Sequence, residues 1–206
     1  MKVLRQADYP SQPWKNGKGR SRRIASFPEG AGFGDDLLWQ LSLPVIGADS
    51  PFSAFPGFDR RLMIISGSGV TLRFNHPAEG VAFSKTLDAP LQPFAFRGEW
   101  PAECSLLDGP VEDFSLLTRR GRVAAKLELR ALHATSVVEK AAGDTVLIYA
   151  ARGRLRVLGE GEAAVLEEQD SLLDASGKAA GFSLSAAGGG STVAALLIIS
   201  ALKPAQ

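Results

Sequence analysis

Residues 61–74 read RLMIISGSGVTLRF, and residues 145–158 read TVLIYAARGRLRVL. Each is a β-rich run, a short turn and a second β-rich run, and Gly69 aligns with Gly153. A glycine-bearing turn between two such runs predicts a β-hairpin. At nearly the same offset, VEDFSLL at 111–117 matches VAALLII at 193–199 in apolar character. A hairpin-rich unit used twice predicts an internal duplication, two β-barrels or jelly rolls in one chain.

Working outward, the same signals continue. LLWQLSL at 37–43 alternates apolar and polar residues, as a half-buried strand does. Strands are expected at 93–97, 103–107 and 111–117, with breaks at Gly98 and at Asp108-Gly109-Pro110. After residue 126 they resume at 127–132, 136–139, 145–150, 155–158, 163–166, 181–184 and 193–200. Helical periodicity is absent apart from a weak candidate near 159–168. TRRGRVAAK at 118–126 lacks alternation and reads as a bridge, and 47–58 reads as a loop. The expectation is an N-terminal half at 1–120 and a C-terminal half at 121–206, together one compact unit. With 22 Gly and 12 Pro, the chain has the turn residues that many short strands need. Its 206 residues, 45% of them hydrophobic, suffice for a sizeable core.

The formal net charge is +1, so no global field draws the chain to nucleic acid or to an anionic membrane. Neither is expected as a partner; a homodimer is compatible with the sequence. One basic run, Lys15, Lys18, Arg20, Arg22 and Arg23, reads either as a solvated loop face or as an anion-binding loop. The single cysteine, Cys104, excludes an intrachain disulfide and reads as a buried thiol. No signal-peptide h-region opens the chain, and residues 193–200 are too few to span a bilayer. A soluble, cytoplasmic protein is expected.

Signatures of catalysis are missing. A zinc, iron or copper site needs three or four imidazole, thiolate or carboxylate ligands close together. The two histidines, His76 and His133, are 57 residues apart, and no HxH occurs. Neither a GxSxG elbow nor a P-loop is present. Gly188-Gly189-Gly190 precedes a strand rather than a helix and reads as a flexible turn. No metal and no cofactor are expected.

Two clusters carry unusual chemistry. The first is Pro13-Trp14-Lys15-Asn16-Gly17-Lys18-Gly19, a large ring, cations, a carboxamide and glycines in one loop. Lys15 can pair with a carboxylate, Asn16 can donate and accept, and Gly17 and Gly19 permit close backbone approach. The alternative is a structural turn with Trp14 as a plug. The second is PFSAFPGFDR at 51–60, which leads into the strand at 61–66. Arg60 and Arg61 point to opposite faces, and both faces are apolar further along, so alternation leaves open which one enters the barrel. An arginine at a barrel mouth suits bidentate carboxylate recognition; the alternative is an Asp59–Arg60 ion pair.

These phrases resemble the HutD/Ves family: PWKNGKG at 13–19, LLWQLSL at 37–43, PFSAFPGFDR at 51–60 and LLDGPVEDFSLLTRRG at 106–121, in the family's order and spacing. Two positions depart from the family pattern, Lys18 in a run of three glycines and Arg23 where an acid is usual, and both add positive charge. The resemblance implies a bicupin, two fused cupin-like jelly-roll β-barrels, and an association with histidine utilisation. It implies a metal-free small-molecule binding protein that senses or buffers a small carboxylated metabolite of histidine degradation, of the formylglutamate or urocanate type, in a regulatory role. Trp14, Lys15, Asn16, Trp39 and Arg60 are the expected ligand-binding residues, with Trp14 and Trp39 as pocket walls. The competing reading is a cofactor-independent enzyme acting on a small acidic metabolite, with Asp59 or Lys15 as its acid–base group.

Overall fold

The computed structural model describes residues 1–14, 17–34, 36–76 and 79–202. Nineteen strands and no α-helix lie among them. No helix among the described residues is long and apolar enough to cross a membrane.

The chain divides into two compact units, Pro10–Arg120 and a second made of Met1–Tyr9 with Gly121–Gln206. The first strand, β1 (Lys2–Leu4), therefore belongs with the C-terminal residues. It runs antiparallel to Ser171–Asp174, with Val3 opposite Leu172. Tyr9 anchors the same segment, its hydroxyl donating to the Gln169 carbonyl at 2.8 Å. The boundary expected at 120/121 had placed these nine residues in the first half. Their pairing follows an open sheet edge, which sequence proximity does not reveal.

The unit Pro10–Arg120 contains β2 (Ser11–Pro13), β3 (Gly19–Phe27), β4 (Trp39–Ile46), β5 (Ser50–Pro51), β6 (Phe58–Ser66), β7 (Val70–His76), β8 (Val81–Leu87), β9 (Phe94–Arg97), β10 (Ala102–Leu106) and β11 (Val111–Arg119). A six-stranded sheet runs β2-β3-β4-β11-β6-β9, and a four-stranded sheet runs β5-β10-β7-β8. Their inner faces share an apolar cluster that includes Ile46, Leu62, Ile64, Leu72, Phe74, Phe96 and Val111. β6 and β7 do not pair as the hairpin that the sequence predicts: β6 lies in the six-stranded sheet and β7 in the four-stranded one, so the turn at Gly67 (φ +94°) and Gly69 (φ +108°), both in the left-handed region, carries the chain from one sheet to the other. A Cβ on Gly69 would meet the Leu87 carbonyl oxygen at 2.1 Å, so no other residue fits without movement.

The second unit adds β12 (Val123–Ala131), β13 (Ser136–Lys140), β14 (Thr145–Arg152), β15 (Leu155–Gly159), β16 (Glu162–Leu166), β17 (Ser171–Asp174), β18 (Ala180–Ala186) and β19 (Val193–Ala201). Its sheets run β1-β17-β14-β19-β12 and β13-β18-β15-β16. The apolar core cluster between them includes Val146, Ile148, Leu172, Phe182, Leu184 and Leu196, and the buried pair Lys140–Asp174 at 3.3 Å lies on the same strand faces as Val138 and Leu172. The chain is thus a bicupin, with two jelly-roll units built from one hairpin-rich plan.

Three further sequence expectations change. The weak helix near 159–168 is instead the β15–β16 hairpin, whose turn places Glu160 and Gly161 at positive φ. The bridge at 118–126 is mostly strand, because β11 runs to Arg119 and β12 starts at Val123. The basic run belongs largely to β3, which the sequence reading passed over because arginines mask its alternation.

Candidate functional site

The site follows from the face on which β4, β6 and β11 place their polar residues. On β6, Arg60 shares a face with Leu62 and Ile64, and both of these belong to the core between the sheets. Arg60 thus points into the barrel, 7% exposed, and Arg61 points to the other face. Arg60 stands opposite Leu117 on β11, and Leu117 stands opposite Gln40 on β4. The next row is Leu62, Ser115 and Ser42. Asp113 follows, opposite Ile64, just past a bulge at Glu112/Asp113. Bulges of this kind re-aim side chains beside functional sites.

The Arg60 guanidinium lies 4.4 Å from the Phe52 ring centroid, with Phe96 at 5.7 Å and Phe55 at 5.9 Å. Such ring faces favour a cation. Its Nε donates to Ser115 Oγ at 3.3 Å, and its Nη groups donate to no described residue. Burial holds the guanidinium below its ordinary value, while Asp113 pulls the other way.

Asp113 is fully buried, and among the described residues neither carboxylate oxygen has a hydrogen-bond partner. Burial pushes its carboxyl up to about 7, Arg60 draws it down and Glu112 raises it further. Cys104, on β10 of the facing sheet, feels the same field. Burial, then Asp113 and Asp49, push its thiol up to about 12, so it is no thiolate nucleophile at neutral pH. Gln40 Oε1 is also buried without a partner.

The expected site residues do not all meet here. Trp14 packs against the core cluster, and its Nε1 donates to Ser21 Oγ at 2.9 Å. Gly19 makes room for that ring and for Val45, since a Cβ there would sit 2.8 Å from Trp14 Cε3 and 2.4 Å from the Val45 oxygen. Trp39 is 3% exposed but lies opposite Thr118, which lies opposite Asp59. Strand alternation puts that row on the face away from Arg60, so Trp39 and Arg60 cannot wall one pocket. Lys15 and Asn16 lie outside the described residues. Asp59 does not pair with Arg60; its Oδ1 accepts from Arg120 Nε at 2.8 Å on the opposite face. Three members of the basic run are engaged within the protein: Lys18 donates to the Asp49 carbonyl at 2.8 Å, Arg22 pairs with Glu112 at 2.5 Å, and Arg23 donates to the Ala31 carbonyl at 3.3 Å.

Asp113 was missed by sequence reasoning. Its signal was present in VEDFSLL, where Val111, Asp113, Ser115 and Leu117 alternate with Glu112, Phe114 and Leu116. Both sets look apolar apart from the acids, which hides the intruder.

The second barrel serves as an internal control. Val146 stands opposite Ile198 and Ile148 opposite Leu196. By strand pairing these correspond to Leu62 opposite Ser115 and Ile64 opposite Asp113, a register one residue away from the sequence alignment, which sets Asp113 against Ala195; the bulge at Glu112/Asp113 accounts for the offset. The same architecture is therefore built with leucine and isoleucine where the first barrel carries an acid and a hydroxyl.

A cupin-type metal centre does not fit these residues. The inward-facing charge coupled to Asp113 is the Arg60 guanidinium, which repels a cation. His76 ends β7 in one unit, and His133 follows β12 in the other. Among the described residues no three His, Cys, Asp or Glu side chains are grouped to hold an ion.

The HutD family model matches residues 6–194. A 21.2 kDa protein in the hutC 3' region of Pseudomonas putida is 34% identical over 157 residues, 76% of this chain and 77% of that protein. Protein Ves of Cronobacter sakazakii is 33% identical over 147 residues, 71% of this chain and 75% of its own length. The solved structure of HutD from Pseudomonas fluorescens SBW25 superposes with a TM-score of 0.82 at 29% identity, covering 98% of this chain and 99% of that one. Bacillus subtilis oxalate decarboxylase shares the fold alone, with a TM-score of 0.68 at 9% identity over 97% of this chain and 77% of that one.

Proposed function

This chain belongs to the HutD family, and from that premise we propose that it is a small-molecule binding protein whose Pro10–Arg120 barrel takes a small carboxylated metabolite onto Arg60. The observation that carries this reading is the buried guanidinium itself. It sits inside the barrel among Phe52, Phe55 and Phe96, and among the described residues no carboxylate is paired to it. A buried charge without a counter-ion is costly, and a bidentate carboxylate supplies what it lacks. Formylglutamate and urocanate are the acids we assign, because the Pseudomonas putida relative is named for a hut locus. The role is sensing or buffering of such an acid in histidine utilisation.

Thermal-shift measurements with formylglutamate and urocanate test this. A ligand bound to the native state raises the melting temperature as its concentration exceeds Kd. We expect a shift in the wild type and none in Arg60→Met. A shift that survives Arg60→Met unchanged, or no shift with either acid, overturns the assignment.

A further inference from the structure

Asp113 has no role in holding a carboxylate, yet it lies in the same barrel as Arg60 with both oxygens buried and unpartnered. Leaving such a group unpaired costs stability. The fold does not demand it, since Leu196 fills the corresponding place in the second barrel. Arg60 does not neutralise it either, because no hydrogen bond or ion pair joins the two among the described residues. The Arg60 side chain leans along β11 as far as Ser115, one inward-facing position short of Asp113. Positive and negative groups thus face one interior, each with unused hydrogen-bonding capacity.

Building on the carboxylate reading, we propose that the ligand is bipolar, with a carboxylate on Arg60 at one end and an N–H donor on Asp113 at the other. A second carboxylate at that end would meet the ionised Asp113 with like charge and would bind only by holding a proton on it, whereas the ionised form accepts an N–H. A hydroxyl would bring lone pairs that Ile64 and the other apolar neighbours cannot satisfy. An N–H donates only, and so fits an acceptor set in apolar surroundings. Plain dicarboxylates are thereby disfavoured, and acids carrying an amide or azole N–H are selected. Asp113 is the specificity-determining residue and Arg60 the anchor.

Isothermal titration with paired probes tests this. Urocanate is compared with 3-(2-furyl)acrylate, which keeps the planar skeleton and the carboxylate but has no ring N–H. N-formylglutamate is compared with its ester analogue, O-formyl-2-hydroxyglutarate. In the wild type we expect the N–H member of at least one pair to bind at least about tenfold tighter than its partner, the effect of one buried hydrogen bond. Asp113→Leu should bring that ratio to about one while retaining the weaker affinity. Asp113→Asn, which keeps the shape, should give an intermediate ratio, and the melting temperature reports that each variant is folded. Equal binding within both pairs in the wild type, or a ratio that persists in Asp113→Leu, overturns the bipolar assignment and leaves the carboxylate reading standing. If no probe binds, the carboxylate reading itself fails.

Discussion

Arg60 and Asp113 face the same barrel interior from adjacent strands, both buried, and they make no ion pair with each other. Opposite charges held apart in an apolar core are a standing cost that a well-packed apolar pair would avoid. The relationship leads to the first two predictions.

Asp113 makes stability fall as pH rises. Its folded-state carboxyl, pushed up by burial to about 7, lies above the ordinary value of 3.8. Between these limits the native protein binds more protons at this site than the unfolded chain, so ionisation at higher pH opposes folding. Arg60, Glu112 and Cys104 are the charged or titratable groups coupled to it. The loss across the window is on the order of 4 kcal/mol, from 1.36 kcal/mol per unit. Thermal denaturation of ligand-free protein from pH 4 to 8 should show a steeper decline in the wild type than in Asp113→Asn. Parallel profiles would refute the assignment of this proton to Asp113.

Arg60→Lys should not rescue binding fully. A lysine ammonium cannot form the two parallel hydrogen bonds of a guanidinium, and it loses its proton more readily when buried. We expect Kd for the carboxylate probe to rise at least about tenfold, an effect of about 1.4 kcal/mol. Calorimetric titration of wild type, Arg60→Lys and Arg60→Met in parallel measures it.

Arg120 separates the surface network from the site. Its guanidinium binds Asp59 at 2.8 Å and Glu99 at 2.6 Å, and hydrogen bonding to Arg120 holds Glu99 below its usual value. All three side chains are partly exposed, so Arg120→Ala should cost only about 1 kcal/mol. Ligand affinity should stay unchanged, because Asp59 lies on the face away from Arg60. A loss of binding in a folded Arg120→Ala protein would show that this face communicates with the barrel.

Gly69→Ala should destabilise far more than Gly109→Ala. Both glycines have positive φ, +108° and +64°, but only Gly69 is crowded, by the Leu87 carbonyl, whereas nothing lies within 4 Å of a Cβ on Gly109. The left-handed conformation alone costs about 1–2 kcal/mol for a residue with a Cβ. Chemical denaturation of the two variants should therefore differ beyond that shared term, with Gly69→Ala the less stable.

Much of the fold was legible in the chain. Strand alternation and the aligned glycines Gly69 and Gly153 announce two strand–turn–strand units, because period-two patterning and positive-φ turns are local properties, but not that the two strands of each unit go to different sheets instead of pairing as a hairpin. The arginine-rich β3 was not legible, since Arg22 is met by Glu112 from β11, 90 residues away, and Arg23 by the Ala31 carbonyl beyond the end of the strand. Of the candidate site, Arg60 was visible as a cation leading into an apolar strand, but its direction was not.

By itself the sequence determined the architecture, the duplication and the lack of clustered metal-ligating histidines, all of which rest on residue types and their spacing. Only the tertiary structure decided that Arg60 rather than Arg61 enters the barrel, that Trp39 lies on the far face, that Met1–Tyr9 joins the second unit, and that Asp113 is the unpaired acid inside the first. The placement of Met1–Tyr9 depends on an open sheet edge, and the others depend on which face of a strand meets a second sheet. Where both faces are apolar, that choice is made by long-range packing and not by the local pattern.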